Sequence, residues 1–141
     1  MASLTQQTGL LTIETPGRAL VEITAQVARW VAAQGMTDGL LTLFCRHTSA
    51  SLLIQENAAH AVKRDLLEWL ERIAPEDASY HHDDEGPDDM PAHIRTMLTG
   101  VNLSIPLFGG RLALGTWQGI YLAEHRHAPH RREVVVHLLG A

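Results

Sequence analysis

Apolar side chains recur along this chain at three different spacings, and each change of spacing marks an element. Thr5 to Glu14 mixes threonine, glutamine and aliphatic residues and predicts a strand, which Thr15-Pro16-Gly17 breaks. From Arg18 the period lengthens. Leu20, Ile23, Val27, Trp30 and Val31 recur every three to four residues, which is one face of a helix, and Gly35 is placed to end it in the left-handed conformation. Asp38-Gly39 is a turn, and Leu40 to Cys45 is a continuous apolar run of strand length. The small polar segment His47-Thr48-Ser49-Ala50-Ser51 leads to a further strand, Leu52 to Gln55. Val62, Leu66, Trp69, Leu70 and Ile73 then share a helical face, with Lys63, Arg64, Asp65, Glu68 and Glu71 largely outside and Pro75 closing the helix.

Glu76 to Asp89 holds seven carboxylates, two histidines and no basic residue, too few apolar groups to bury itself, and reads as a loop. Asp88 or Asp89 caps a short helix with Pro91 in its first turn, Ile94 and Leu98 facing inward and Gly100 as its stop. Strands follow at Val101 to Leu107, Arg111 to Leu114, Gly119 to Ala123 and Glu133 to Leu139, with Phe108-Gly109-Gly110 as a hairpin turn. This order predicts an α+β fold: a single compact domain over residues 1–141, mostly antiparallel sheet, with two long helices and one short helix.

Composition narrows the function classes. A chain of 141 residues that is 45% apolar can bury a core without crosslinks. Its single cysteine, Cys45, cannot form an internal disulfide, which points to a reducing, cytoplasmic setting. No apolar run approaches the length of a membrane span, and Met1 to Gln7 lacks the charged and apolar regions of a secretory signal, so no membrane association is expected. A formal charge of −5 argues against nucleic acid as a partner. Nine histidines, against two tyrosines and two phenylalanines, shift attention to imidazole chemistry.

Three groups of residues carry that chemistry. His47 follows a buried strand, and Thr48, Ser49 and Ser51 offer hydroxyls and backbone N–H groups suited to an oxyanion or phosphate, or else simply satisfy a strand-to-strand turn. His81, His82 and His93 lie in and just after the acidic loop. They can serve as metal ligands with an open position, or else be solvated and satisfy a helix end. Glu124, His125 and Arg126, followed by His127, His130, Arg131 and Arg132, can do acid–base work and clamp a phosphate, or else be a solvated strand end. Trp117, beside Gln118 and off any helical core face, is a candidate pocket wall, whereas Trp30 and Trp69 lie on such faces. Cys45 reads as a small core residue, His137 as structural, and His60 carries no role.

With these stretches in view, the chain resembles the YjbQ-like family over nearly its whole length. His47-Thr-Ser-Ala-Ser-Leu-Leu-Ile-Gln-Glu-Asn57 looks like the family's first hallmark, and Glu85-Gly-Pro-Asp-Asp-Met-Pro-Ala-His93 like its second. Ser104-Ile-Pro-Leu-Phe-Gly-Gly-Arg-Leu-Ala-Leu-Gly-Thr-Trp-Gln-Gly-Ile-Tyr-Leu-Ala-Glu-His-Arg126 looks like its third. The resemblance implies a homotrimer and a divalent metal, zinc first with magnesium or manganese as alternatives, on His47, His82 and His93. It also implies an acidic site at Glu124 and secondary thiamine-phosphate synthase activity, a transferase reaction joining hydroxymethylpyrimidine diphosphate to thiazole phosphate. Expelling diphosphate requires positive charge at the leaving group, from a metal or from Arg126 or Arg95, with Trp117 as a flat wall and Gln118 reading the pyrimidine amine. A non-catalytic metal- or phosphate-binding trimer and a metal-assisted hydrolase are the alternatives. Where the family has Ala-Asp-Pro after Asn57, this chain has Ala58-Ala59-His60, which loses any role of that aspartate or moves it to Glu56 or His60. Whether His81, His125 or Glu56 joins the site stays open at the level of sequence.

Overall fold

A computed structural model describes residues 3–141; residues 1 and 2, part of the stretch read for a signal, lie outside it. Eight strands and three helices follow in the order β1 (Thr5–Thr15), β2 (Ala19–Glu22), α1 (Thr24–Ala32), β3 (Gly39–Cys45), β4 (Ala50–Glu56), α2 (His60–Ile73), α3 (Asp89–Thr99), β5 (Asn102–Phe108), β6 (Arg111–Leu112), β7 (Gln118–Glu124) and β8 (His130–Gly140). They form a five-stranded sheet, β1-β8-β3-β5-β6, and a three-stranded sheet, β2-β7-β4, with every pair antiparallel. This is the expected α+β domain. No described helix is long and apolar enough to cross a membrane.

The alternation of the strands builds the core. Leu41, Leu43, Val134, Val136 and Leu138 project from the large sheet against Leu52, Ile120 and Leu122 of the small one, and Val27 and Val31 of α1 join them. At ~25 cal/mol per Å² of buried apolar surface, each of these fully buried aliphatics contributes ~1.5–3 kcal/mol. The second face of β7 is also covered: Tyr121 and Ala123 lie with Leu20 and Leu53 under Leu66 and Leu67 of α2. β7 is therefore buried along Gly119–Glu124, and the polar residues at its end are brought into the interior. Gly109 and Gly110 take φ of 59° and 79°, the paired positive values a two-residue hairpin turn needs, as the sequence predicts.

Several elements differ from their predicted form. Ala19–Glu22 is a strand rather than the first turn of α1, because its backbone pairs with Tyr121–Glu124 and Leu20 fills the space under α2. α1 consequently has nine residues and α3 eleven, so the helix expected to be short is the longer of the two. The buried face of α3 is Pro91, Ala92, Arg95 and Thr96; Leu98 is 53% exposed. Trp69 is likewise 48% exposed, whereas Trp30 packs against the core. β6 stops at Leu112, and β8 begins at His130, where it pairs with Thr15.

Candidate metal centre

The acidic segment between α2 and α3 remains a loop, and the hydroxyl of Tyr80 donates to the Pro75 carbonyl, tying it back to the end of α2. This folds His82 over the first turn of α3. There Nε2 of His82 lies 2.7 Å from Oδ2 of Asp89, and Nε2 of His93 lies 3.1 Å from the same oxygen. Asp89 and His93 are four residues apart on α3, so they share one face of the helix. The three ligand atoms all lie within 4.8 Å of one another.

Each member is oriented from outside. Nδ1 of His93 donates to the Thr48 carbonyl at 2.8 Å, which turns Nε2 toward the Asp89 carboxylate. His82 Nδ1 lies 3.4 Å from Asp84, and Oδ1 of Asp89 accepts from Arg126 at 2.8 Å. Imidazoles held by a carbonyl or a carboxylate on their outer nitrogen are the usual arrangement around a bound metal. Two imidazole nitrogens and one carboxylate oxygen are a donor set that suits zinc, and the residues present fit such an ion. The hydrogen bond to Asp89 raises the pKa of His82 above its ordinary value. Burial pushes the Asp89 carboxyl upward, but the hydrogen bond from His82 and the charges of His93 and Arg126 outweigh it and hold the group below the usual carboxylate range. His93 also borders an open cavity of about 870 Å³, whose apolar walls include Phe44, Met97 and Val101 and whose polar lining includes Arg46 and His47.

The other predicted residues fall into three places. His47 is on the same cavity but not in the His82–Asp89–His93 group. Its Nε2 accepts the Glu133 N–H at 2.8 Å, and its Nδ1 lies 3.5 Å from Arg132, so both ring nitrogens face β8. Burial and the Arg132 charge lower its pKa. Glu124 is fully buried and saturated: Arg132 and Thr15 donate to Oε1, and Arg132 and the Arg126 N–H donate to Oε2. Those bonds outweigh burial and keep it ionised, as a structural counter-ion rather than a group presented to a ligand. Arg126 is spent on Asp88, Asp89 and the Glu85 carbonyl. Asp88 occupies the capping position of α3, but its side chain binds Arg126 and the His127 N–H instead of the helix.

Ser49 is buried and accepts from Arg132, and buried Ser51 bonds Thr99 and His125, so of the three predicted hydroxyl residues only Thr48 is exposed. Burial, with the nearby Arg95 charge, pushes the His125 pKa down to about 3 and keeps the ring neutral. Trp117 and Gln118 lie at the opposite end of β7 from Glu124, about 20 Å away at the usual rise per residue. His81 is exposed and outside the group. Ala59 and His60 are the N-cap and first residue of α2, where Oε2 of Glu56 accepts the Ala59 N–H. Position 59 is therefore a helix cap, at the far end of β4 from the His82–Asp89–His93 group. Asp89 was legible in the sequence only as a cap; its spacing of four from His93 is the signal that sets the two side chains on one helical face.

Comparison with known proteins agrees with this architecture. A family model described as UPF0047 protein YjbQ-like matches residues 9–141. A UPF0047 protein of Synechocystis is 49% identical over 140 residues, covering 99% of this chain and 95% of its own. The UPF0047 protein YjbQ of Escherichia coli O157:H7 is 38% identical over 131 residues, covering 92% and 95%. Among solved structures, a YjbQ/UPF0047 protein of Clostridium acetobutylicum superposes with a TM-score of 0.83 at 36% identity, covering 90% of this chain and 96% of its own. A hypothetical protein of Aeropyrum pernix superposes with a TM-score of 0.88 at 29% identity, covering 96% and 99%. Hallmark stretches, sheet order and these matches together make the chain a member of the YjbQ-like UPF0047 family.

Proposed function

We propose that His82, Asp89 and His93 hold a divalent cation, zinc foremost, and that the protein is a metal-dependent transferase acting on a phosphorylated heterocycle. The specific form of this reading is the thiamine-phosphate-forming reaction that the family resemblance implies. The observation that carries it is the convergence of two Nε2 atoms on one carboxylate oxygen, with His93 fixed by the Thr48 carbonyl in the tautomer a ligand requires. The cation would supply the positive charge that a departing diphosphate needs.

In that reaction the thiazole nitrogen attacks the pyrimidine methylene carbon as the carbon–oxygen bond to diphosphate breaks, and the electron pair leaves with the diphosphate. The chain's part is positioning. Phe44, Met97 and Val101 offer an apolar wall for a flat ring beside His93, and Arg46 draws anionic substrate to the same cavity. Arg126 steadies Asp89 rather than clamping substrate, and Glu124 carries no mobile proton.

The homotrimer belongs to the same proposal. Leu10, Leu40, Phe44 and Leu139 lie exposed on one outer face of the five-stranded sheet, which supplies apolar area for a neighbouring copy. Trp117, 62% exposed and at the far end of β7, can serve only a cleft contributed by another subunit. The test is an assay of zinc-loaded protein with hydroxymethylpyrimidine diphosphate and thiazole phosphate. Thiamine phosphate and diphosphate should form in equal amounts and fall at least a hundredfold in His93→Ala. Turnover absent in the wild type would leave a non-catalytic binding module, and turnover unchanged in that variant would separate the activity from the metal group.

A further inference from the structure

The outer face of the five-stranded sheet carries one titratable side chain at its centre. The register aligns residues in rows across β1, β8, β3 and β5. Thr8, His137, Thr42 and Ser104 form one row. Leu10, Val135, Phe44 and Asn102 form the row on one side of it, and Gln6, Leu139, Leu40 and Pro106 the row on the other. His137 is the one ionisable residue in the three rows, and its Nε2 lies 2.8 Å from Oε1 of Gln6. Charge begins only beyond them. Glu133, four residues along β8 and about 13 Å away at the usual rise, pairs with Arg46 at 3.7 Å, and Glu14 pairs with Arg131 at 3.5 Å. At the opposite end Asp38 accepts the Gly109 N–H, and the Ala141 carboxylate accepts the Thr37 and Asp38 N–H groups. Leu10, Leu40, Phe44 and Leu139 are 44–48% exposed, so no described element covers this face.

A second copy of the chain is the occupant these features fit. At a formal charge of −5, copies repel one another over most of their surface. A centre without carboxylates, bordered by paired charges, lets two copies meet without setting like charges against each other. The area agrees. The chain's 7993 Å² of accessible surface exceeds by about 800 Å² the roughly 7,200 Å² of a compact monomer of 15.5 kDa. About 800 Å² is also what each partner gives to a standard stable interface. Phe44 lies both on this face and on the wall of the cavity beside His93, so a copy seated here also covers the rim of that cavity.

We infer that copies of this chain pack through this sheet face, His137 against its own counterparts, and that the contact holds only while the ring is neutral. The inference rests on the assembly proposed above and adds its control by pH. A residue at the centre of a face shared around a symmetry axis approaches its own copies, in a trimer as in a dimer. Histidine is the side chain that gains charge between about pH 8 and pH 5. Protonation at position 137 sets like charges together where no carboxylate is at hand to pair them, whereas a free copy holds the same proton in water, so acid favours the separated chains. The overall charge pulls the other way. Protonating nine histidines brings −5 toward zero and lowers the general repulsion between copies, so dissociation on acidification reports a local group.

The test is sedimentation velocity of the full-length protein at pH 8 and about pH 5.5, with far-UV circular dichroism reporting the fold at each. A trimer is expected at pH 8, with association at least tenfold weaker in acid. His137→Gln, on the solvent side of the sheet, should stay assembled at both values. His137→Lys should be dissociated already at pH 8, an arm that needs no acid. The His82→Ala/His93→Ala double variant should keep the wild-type response, which separates it from loss of metal. A wild-type monomer at pH 8 overturns the inference together with the trimer. Equal assembly of the wild type at both values overturns the inference alone. So does an unchanged response in His137→Gln, full assembly of His137→Lys at pH 8, or loss of the response in the double variant.

Discussion

Arg132→Met is predicted to be among the most damaging single changes outside the apolar core. Arg132 is 5% exposed and Glu124 is not exposed at all, and the guanidinium supplies a donor to each carboxylate oxygen as well as to the carbonyl and hydroxyl of Ser49. The substitution leaves Glu124 with only the Thr15 hydroxyl and the Arg126 N–H, and strips Ser49 of its donor. Removing one partner of a buried pair costs ~3–5 kcal/mol, out of a total stability of ~5–15 kcal/mol. With a urea m-value of about 2 kcal/mol/M, a cost of about 4 kcal/mol lowers the unfolding midpoint by about 2 M at pH 7. The penalty should shrink near pH 4, where an unpaired buried carboxyl takes up a proton. Combining Arg132→Met with Glu124→Gln should recover at least half of the loss, because the orphaned charge is gone. Urea unfolding followed by far-UV circular dichroism at both pH values measures all of this. A midpoint shift below about 0.5 M, or strictly additive single and double variants, would refute Glu124 as a structural counter-ion and return it to the catalytic candidates.

The remaining expectations are smaller or more local. Ala59→Asp restores a side-chain acceptor at the uncapped start of α2 and should add about 1 kcal/mol, or roughly 3–5 °C in Tm by calorimetry; no gain would mean that Glu56 already suffices. His125 sets a pH dependence. Its folded pKa of about 3 lies below the 6.5 of an unfolded histidine, so the stability it confers is fully present above pH 6.5 and is lost as the pH falls from 6.5 toward 3. The slope approaches about 1.4 kcal/mol per pH unit, and His125→Gln should flatten it in urea titrations at pH 7 and pH 5. Bound metal should fall between pH 8 and pH 5 as imidazole ligands protonate, and equal metal content at the two values would speak against histidine ligation.

The sequence carried the fold further than it carried the site, for physical reasons visible in single residues. Strands with an unbroken apolar run, such as Leu40–Cys45, and a turn whose two glycines must take positive φ announce themselves locally. Ala19–Glu22 does not, because four residues at helical spacing become a strand only when β7 offers its edge. α3 misled in the same way: its inward face holds Arg95, a residue that pattern alone sends to solvent, while Leu98 faces out. For the site, His82 and His93 were legible as imidazoles near an acidic loop, and they do come together. Asp89 was hidden among neighbouring carboxylates, and the commitments of His47 and Glu124 to β8 depend on contacts across more than 80 and on 8 residues of chain, respectively, which no local spacing reports.

The measurement that bears most directly on the metal centre is a zinc titration of chelator-stripped protein, followed by elemental analysis of the dialysed complex. One zinc per chain is predicted for the wild type, with affinity at least tenfold weaker in Asp89→Asn and binding lost in the His82→Ala/His93→Ala double variant. Stoichiometry well below one in the wild type, or the same zinc content in the double variant, would contradict it.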